Sequence, residues 1–295
     1  TLWLAGDYTA AHALLSPLVT RKTKDADLLA LLGQTEALMH NNEQAEELLE
    51  KAVKYGANNA DYQHWYATVS CNLASSASMF SALGYAKRCK KAYETALELA
   101  PENPRSYIAL GSFLAQAPGI AGGDKDEALQ LAEKLKQLDE TQGWLLQLKL
   151  TDFADEAAFN QFLATAELLK QRPEPYFQRA MQLVSQDNFS AAIVLLQQAI
   201  QQTATDDGAR ASITESYYQL ARCAVLGKTA IPEGIAAMQQ YLQDNPGSER
   251  HDWAQLRLAQ LYLLADAPDK AKAITEPLLA STDDDKLKAE LKKLL

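Results

Sequence analysis

Small and apolar side chains return along this chain at intervals of 12 and then 7 positions. Gly33, Ala45 and Ala52 set out both intervals, with Leu29, Leu32 and Leu49 as the larger apolar positions around them. Ala180, Ala192 and Ala199 repeat both, and Ala259 with Ala271 repeats the first. Apolar residues three and four apart flank each small one, the spacing of one helix face. Each unit of about 34 residues therefore predicts two antiparallel helices, with small residues letting their backbones approach. A single pair cannot bury its own apolar face, so neighbours must stack and share a core. The expected class is all-α, a single solenoid over residues 1–295, with no convincing strand signal.

The expected boundaries are a partial repeat at 1–23, repeats at 24–58, 59–102, 103–140, 141–172, 173–205, 206–246 and 247–281, and a capping helix at 282–295. In the first complete repeat, Asp25 or Asp27 can cap a helix running to about His40. Asn41 and Asn42 then turn the chain into a second helix, Glu43 to Tyr55, which ends at Gly56. Asn103-Pro104 reads as an N-cap followed by proline in the first turn, and Asp124 with Glu127 as a capping box. The weakest copy is 141–172, where Trp144, Leu148, Ala157, Phe162 and Ala164 keep helical spacing without a clear small-residue register. At the end, Leu287, Leu291 and Leu294 share a face opposite a lysine-rich one, the pattern of an end cap.

Three insertions interrupt the rhythm, at Ser75–Gly84, Pro118–Gly123 and Gly227–Glu233. Each falls between the first and second helix of its pair. In a stack such turns share one edge, and insertions on one edge often mark a binding side.

Composition narrows the function. A net charge of −10 argues against a nucleic-acid partner, which needs clustered Lys and Arg. No apolar run approaches the roughly 18 to 20 residues that span a bilayer. Cys71, Cys89 and Cys223 are too few for a disulfide framework and read as small buried hydrophobes. A bond between Cys71 and Cys89, across one helix pair, stays open. His12, His40, His64 and His251 lie in different repeats without metal-ligand spacing and read as surface histidines. The stretch Gly119 to Gly123 before Asp124-Lys125 lacks the Gly-Lys-Ser/Thr of a phosphate loop and reads as a turn. No catalytic, cofactor-binding or metal-binding set is expected.

The helical spacing resembles the tetratricopeptide repeat family. Tyr107, Leu110 and Gly111 stand in its first-helix slots. Ala92, Tyr93, Ala96 and Pro101, and the pair Ala192 and Ala199, stand in those of the second helix. Departures are Cys89 and Gly234 in one alanine slot, and Leu135, Tyr241 and Leu278 in another. The resemblance implies a right-handed superhelix of helix pairs and a non-enzymatic role in binding proteins. A narrower similarity, through His64-Trp65-Tyr66-Ala67, the segment Ala96 to Pro101 and the segment Ala117 to Gly123, is to exported bacterial proteins of this type. It implies a periplasmic home, with a cytoplasmic one as the alternative. The opening at Thr1, without Met, fits a cleaved secretory signal or a shortened chain.

In this family the inner surface is lined by first-helix residues facing away from their partner helix. Applied here, the spacing gives Ala30, Gln34 and Ala37, then His64 and Thr68, then Arg105, Ile108 and Ser112. Further on it gives Phe177, Met181 and Val184, then Tyr218 and Arg222, then Trp253, Leu256 and Gln260. The family's clamp for a C-terminal carboxylate is absent, since only Arg105 and Arg222 are basic. The expected peptide groove is Arg105 with Phe177, Met181, Tyr218, Arg222 and Trp253, because aromatic and Arg side chains anchor interfaces. The expected partner is a protein or peptide. The alternative is an accessory subunit of an envelope transport or assembly system that binds a small ligand or solute receptor.

Overall fold

The computed structural model describes residues 5–294, and among these no strand occurs. The chain divides into two compact units, Thr1–Leu150 and Thr151–Leu295. The division runs through the stretch expected as the weakest repeat.

In the N-terminal unit, α1 (Tyr8–Leu15) precedes the pair α2 (Ala26–Leu38) and α3 (Asn42–Tyr55). Next come α4 (Ala60–Ser76) with α5 (Met79–Leu99), then α6 (Pro104–Gln116) with α7 (Lys125–Leu138), and α8 (Glu140–Leu150) closes the unit. The C-terminal unit begins with α9 (Glu156–Thr165). Three pairs follow: α10 (Pro173–Ser185) with α11 (Phe189–Ile200), α12 (Asp207–Gly227) with α13 (Ile231–Asp244), and α14 (His251–Leu264) with α15 (Pro268–Ser281). Helix α16 (Asp285–Lys292) ends it.

Asx side chains start most of these helices by accepting otherwise orphaned backbone N–H groups. Asp25 caps α2 through Leu28 N, Asn59 caps α4, and Asn103 caps α6 ahead of Pro104. Asp124 caps α7, but the expected capping box is half made. Glu127 reaches Lys90 Nζ at 3.2 Å, while the backbone N–H of Asp124 donates to Leu114 O at 3.0 Å.

The standard turns end alike. His40, Asp187 and Asp266 each adopt left-handed φ, at 63°, 57° and 52°. The N–H after each reaches back to a carbonyl five residues earlier, as in Asn41 N to Glu36 O at 2.9 Å and Asn188 N to Leu183 O at 2.9 Å. This is a Schellman closure using residue types that tolerate the left-handed region. Gly33, Ala180 and Ala259 each stand seven positions before that turn residue.

The small slots are where helices touch. A Cβ on Gly33 would fall 2.8 Å from Leu49 Cγ, and one on Gly234 would fall 2.6 Å from Ala224 Cβ. Ala45, Ala52, Ala180, Ala192, Ala199 and Ala259 are fully buried. One core joins α3 to α8 in the N-terminal unit, from Ala45 to Leu146. Another joins α10 to α14 in the C-terminal unit.

The stretch 141–172 does not form a helix pair within one unit. Helix α8 carries Leu146 against Gly111 of α6, whose added Cβ would lie 2.5 Å from Leu146 Cδ2. Residues 151–155 are not helical. In the C-terminal unit Phe153 is buried, edge-on to Phe159 at 5.2 Å, and its carbonyl accepts from Arg179 Nη1 at 2.6 Å.

A second correction concerns cysteine. Cys71 and Cys89 are joined by a disulfide between α4 and α5, so neither is a free buried thiol. Cys223 is free and buried, and burial pushes its thiol up to about 11.

Candidate functional site

The first two insertions build one groove in the N-terminal unit. The extra residues at 75–84 lengthen both helices of their pair. Helix α4 has 17 residues and α5 has 21, against 13 and 14 in α2 and α3. Helix α5 opens with Met79 and Phe80, which are 79% and 90% exposed.

The second insertion is a compact loop. Pro118–Gly123 closes through Gly122 N to Gly119 O at 3.0 Å and Gly123 N to Pro118 O at 3.1 Å. Gly122 has φ of +99°, and a Cβ on Gly123 would lie 1.8 Å from Ala117 O, so glycine is required at both. The loop presents Ile120, 79% exposed. It is the structural turn expected of this stretch.

Between α4, the extended α5, α6 and this loop runs a groove of about 900 Å³. Leu83, Ala86, Ile108 and Phe113 line it, with Met79 and Ile120 at its lip and Cys71 in its wall. Single exposed apolar residues are ordinary, but here Met79 and Ile120 both lie around one apolar depression.

The other end of the groove is polar. His64 meets Tyr93 edge-on at 5.4 Å, and Tyr93 Oη lies 3.1 Å from Thr68 Oγ1. His64 is buried, a correction to the surface position expected of it. Burial, reinforced by the Arg105 guanidinium, lowers it to about 4, so it is neutral at pH 7. Arg105 lines the groove half-exposed, 3.7 Å from Asp61. Lys149 of α8 donates to Ser112 Oγ at 3.3 Å, a second cation beside the lining, and burial lowers its ammonium. Among the described residues no carboxylate lines this groove.

The expected C-terminal positions are engaged with their own neighbours. Phe177 and Met181 are half-buried against the core of their unit. The Tyr218 ring packs on Tyr241 at 5.2 Å, under the Arg250 guanidinium at 5.6 Å. Arg222 donates to Gln219 at 3.2 Å. Trp253 Nε1 donates to Asp284 Oδ2 at 3.2 Å, and its ring packs against the leucines of α16. Ala30 and Leu256 are buried. The third insertion is shorter than expected, a loop over Lys228–Ala230 with α13 already formed from Ile231. It belongs to the C-terminal unit.

Among the described residues, no group of three or more His, Cys, Asp or Glu is placed to hold a metal ion. Among them, no helix is long and apolar enough to cross a membrane.

The family model for the tetratricopeptide repeat matches residues 2–67 and 228–295. No curated protein sequence matches the chain. Among solved structures, yeast Tom70 is similar with a TM-score of 0.62 and 18% identity, over 97% of this chain and 57% of that one. The chain thus spans little more than half the length of that structure. PilW, a widely conserved type IV pilus biogenesis factor, matches with a TM-score of 0.52 and 13% identity, over 91% and 99%. Pseudomonas aeruginosa pilF matches at 0.50 and 15%, over 91% and 96%. Identities this low speak for the fold alone. With the 12 and 7 rhythm and the paired helices of both units, the match marks tetratricopeptide repeats at both ends of this chain, over residues 2–67 and 228–295.

Proposed function

We propose that this protein is a non-enzymatic scaffold that holds an apolar segment of a partner protein in the groove between α4, α5 and α6. The observation that carries the reading is the convergence of two insertions on one apolar depression, with Met79 and Ile120 standing exposed at its lip. Arg105 and Lys149, with no carboxylate in the lining, favour a segment that also carries an acidic residue. The 13 residues of α6 give a wall of about 20 Å, the reach of roughly six extended residues. The C-terminal positions Phe177, Met181, Tyr218, Arg222 and Trp253 have less support, since packing within their own unit accounts for them.

A periplasmic or otherwise exported home is part of the proposal. The Cys71–Cys89 disulfide supports it, because such bonds persist in oxidising compartments and are rare in reducing ones.

Panning a random peptide library against the full chain tests the groove. Selected peptides should be rich in apolar residues and should bind Met79→Asp and Ile120→Asp variants at least tenfold more weakly. Both side chains are exposed, so neither change threatens folding. Peptides that bind the variants as well as the parent chain would remove the groove from consideration.

A further inference from the structure

The C-terminal unit holds a separate cavity of about 720 Å³ between α9, α10 and α11. Its apolar lining includes Phe159, Leu163 and Leu195, and Val194 stands 53% exposed at its edge. The volume is that of a small-molecule site. What singles it out is a charge.

Arg179 borders this cavity and is only 6% exposed. Its Nη1 donates to Phe153 O at 2.6 Å and to Gln182 Oε1 at 3.3 Å. Both partners are neutral. Among the described residues no carboxylate pairs with it, and its Nε and Nη2 donate to none. Glu156, on the cavity rim, is exposed and forms no ion pair with it.

The other buried arginine of this unit shows how the chain treats such a charge when it is structural. Arg172 is 7% exposed and pairs with Glu174 at 2.5 Å and Asp206 at 2.8 Å. Burying an ion without a counter-ion is costly, and a guanidinium edge with two free donors matches a carboxylate in a two-point pair. Arg179 has the burial and the free edge but lacks the anion.

We propose that this cavity binds a small organic acid with an apolar body. The carboxylate pairs with Nε and Nη2 of Arg179, and the body lies on Phe159, Leu163 and Leu195. This site is independent of the peptide groove in the N-terminal unit, and neither reading needs the other.

Calorimetric titration of the full chain with sodium octanoate and with octan-1-ol, equal in length, tests the charge requirement. Octanoate should bind at least tenfold more tightly than octanol. Arg179→Gln should erase that preference. Val194→Trp, which leaves the Arg179 bonds in place and sets a ring over the cavity edge, should weaken octanoate at least tenfold. Equal binding of acid and alcohol would overturn the proposal. So would octanoate binding that survives in Val194→Trp, which would place the acid elsewhere on the protein. Should Arg179→Gln fail to fold, the octanoate-to-octanol ratio and the Val194→Trp variant still decide the matter.

Discussion

Cys71 and Cys89, 18 residues apart in sequence, are bonded across α4 and α5 with their Cα atoms 5.3 Å apart. The bond closes a loop that contains the turn at Ala77 and Ser78 and the start of α5 with Met79 and Phe80. In the chain-entropy account, a loop of this length stabilises the folded state by about 3 kcal/mol. Cys71→Ala with Cys89→Ala should therefore lower the stability of the N-terminal unit by about 2–3 kcal/mol in denaturant. A reducing agent should do the same to the parent chain and nothing further to the variant. Three titratable thiols in the unfolded, unreduced protein would show that the bond is not made.

Two glycines should respond to alanine with opposite signs. A Cβ on Gly234 would sit 2.6 Å from Ala224 Cβ and 3.0 Å from Leu261 Cδ2, and Ala224 has no rotamer with which to yield. Gly234→Ala should cost about 1–3 kcal/mol through overpacking. Gly84, inside α5, has nothing within 4 Å of an added Cβ. Gly84→Ala should stabilise by about 0.5–1 kcal/mol from helix propensity. Chemical denaturation of each variant gives the sign directly.

The contrast shows why the fold was legible in the sequence. Gly33, Ala45, Ala180 and Ala192 are small because helices meet there, so their spacing carries the geometry of the pairs. The break at residues 151–155 was not legible. Leu146 and Leu148 continue the helical pattern of the N-terminal unit up to it, and Phe159 and Leu163 resume that pattern beyond it. What separates them is the capture of Phe153 by Arg179 and Gln182, about 26 to 29 residues later in the chain. Local spacing holds no trace of such a contact.

The groove was half legible. The insertion lengths pointed to 75–84 and 118–123, and the repeat register placed His64, Arg105, Ile108 and Ser112 on its wall. Met79 and Ile120 carry no such signal, because an insertion seen only as extra length gives no orientation. For Tyr218 and Trp253, register tells which face a residue occupies, not which neighbours engage it there. Tyr241 and Asp284, 23 and 31 residues further on, engage them.

The buried His64 should make the N-terminal unit sensitive to acid. Folded, it titrates at about 4, below the 6.5 of an exposed histidine. Above pH 6.5 both states are neutral there and nothing is lost. As pH falls from 6.5 towards 4, the unfolded chain takes up a proton that the folded one refuses, and stability declines by on the order of 3 kcal/mol. His64→Gln should flatten this part of the stability–pH curve. An unchanged slope would mean that the ring is solvated in the folded protein.

Helix α16 should behave as a stabilising cap for its unit. Leu287 and Leu291 are buried with Leu256 and Leu278, while Asp284 accepts from Lys286 N at 2.8 Å and Leu287 N at 3.2 Å. Leu291→Ala should cost about 2–4 kcal/mol, as for a buried leucine. Asp284→Ala removes the N-cap and should cost about 1 kcal/mol. Trp253→Phe keeps a smaller aromatic ring against these leucines and loses the exposed bond to Asp284, so it should cost less than Leu291→Ala. Hydrogen exchange read separately over the two units should place these losses in α14 to α16 and leave α2 to α7 unchanged. Equal losses in both units would mean that they unfold as one body.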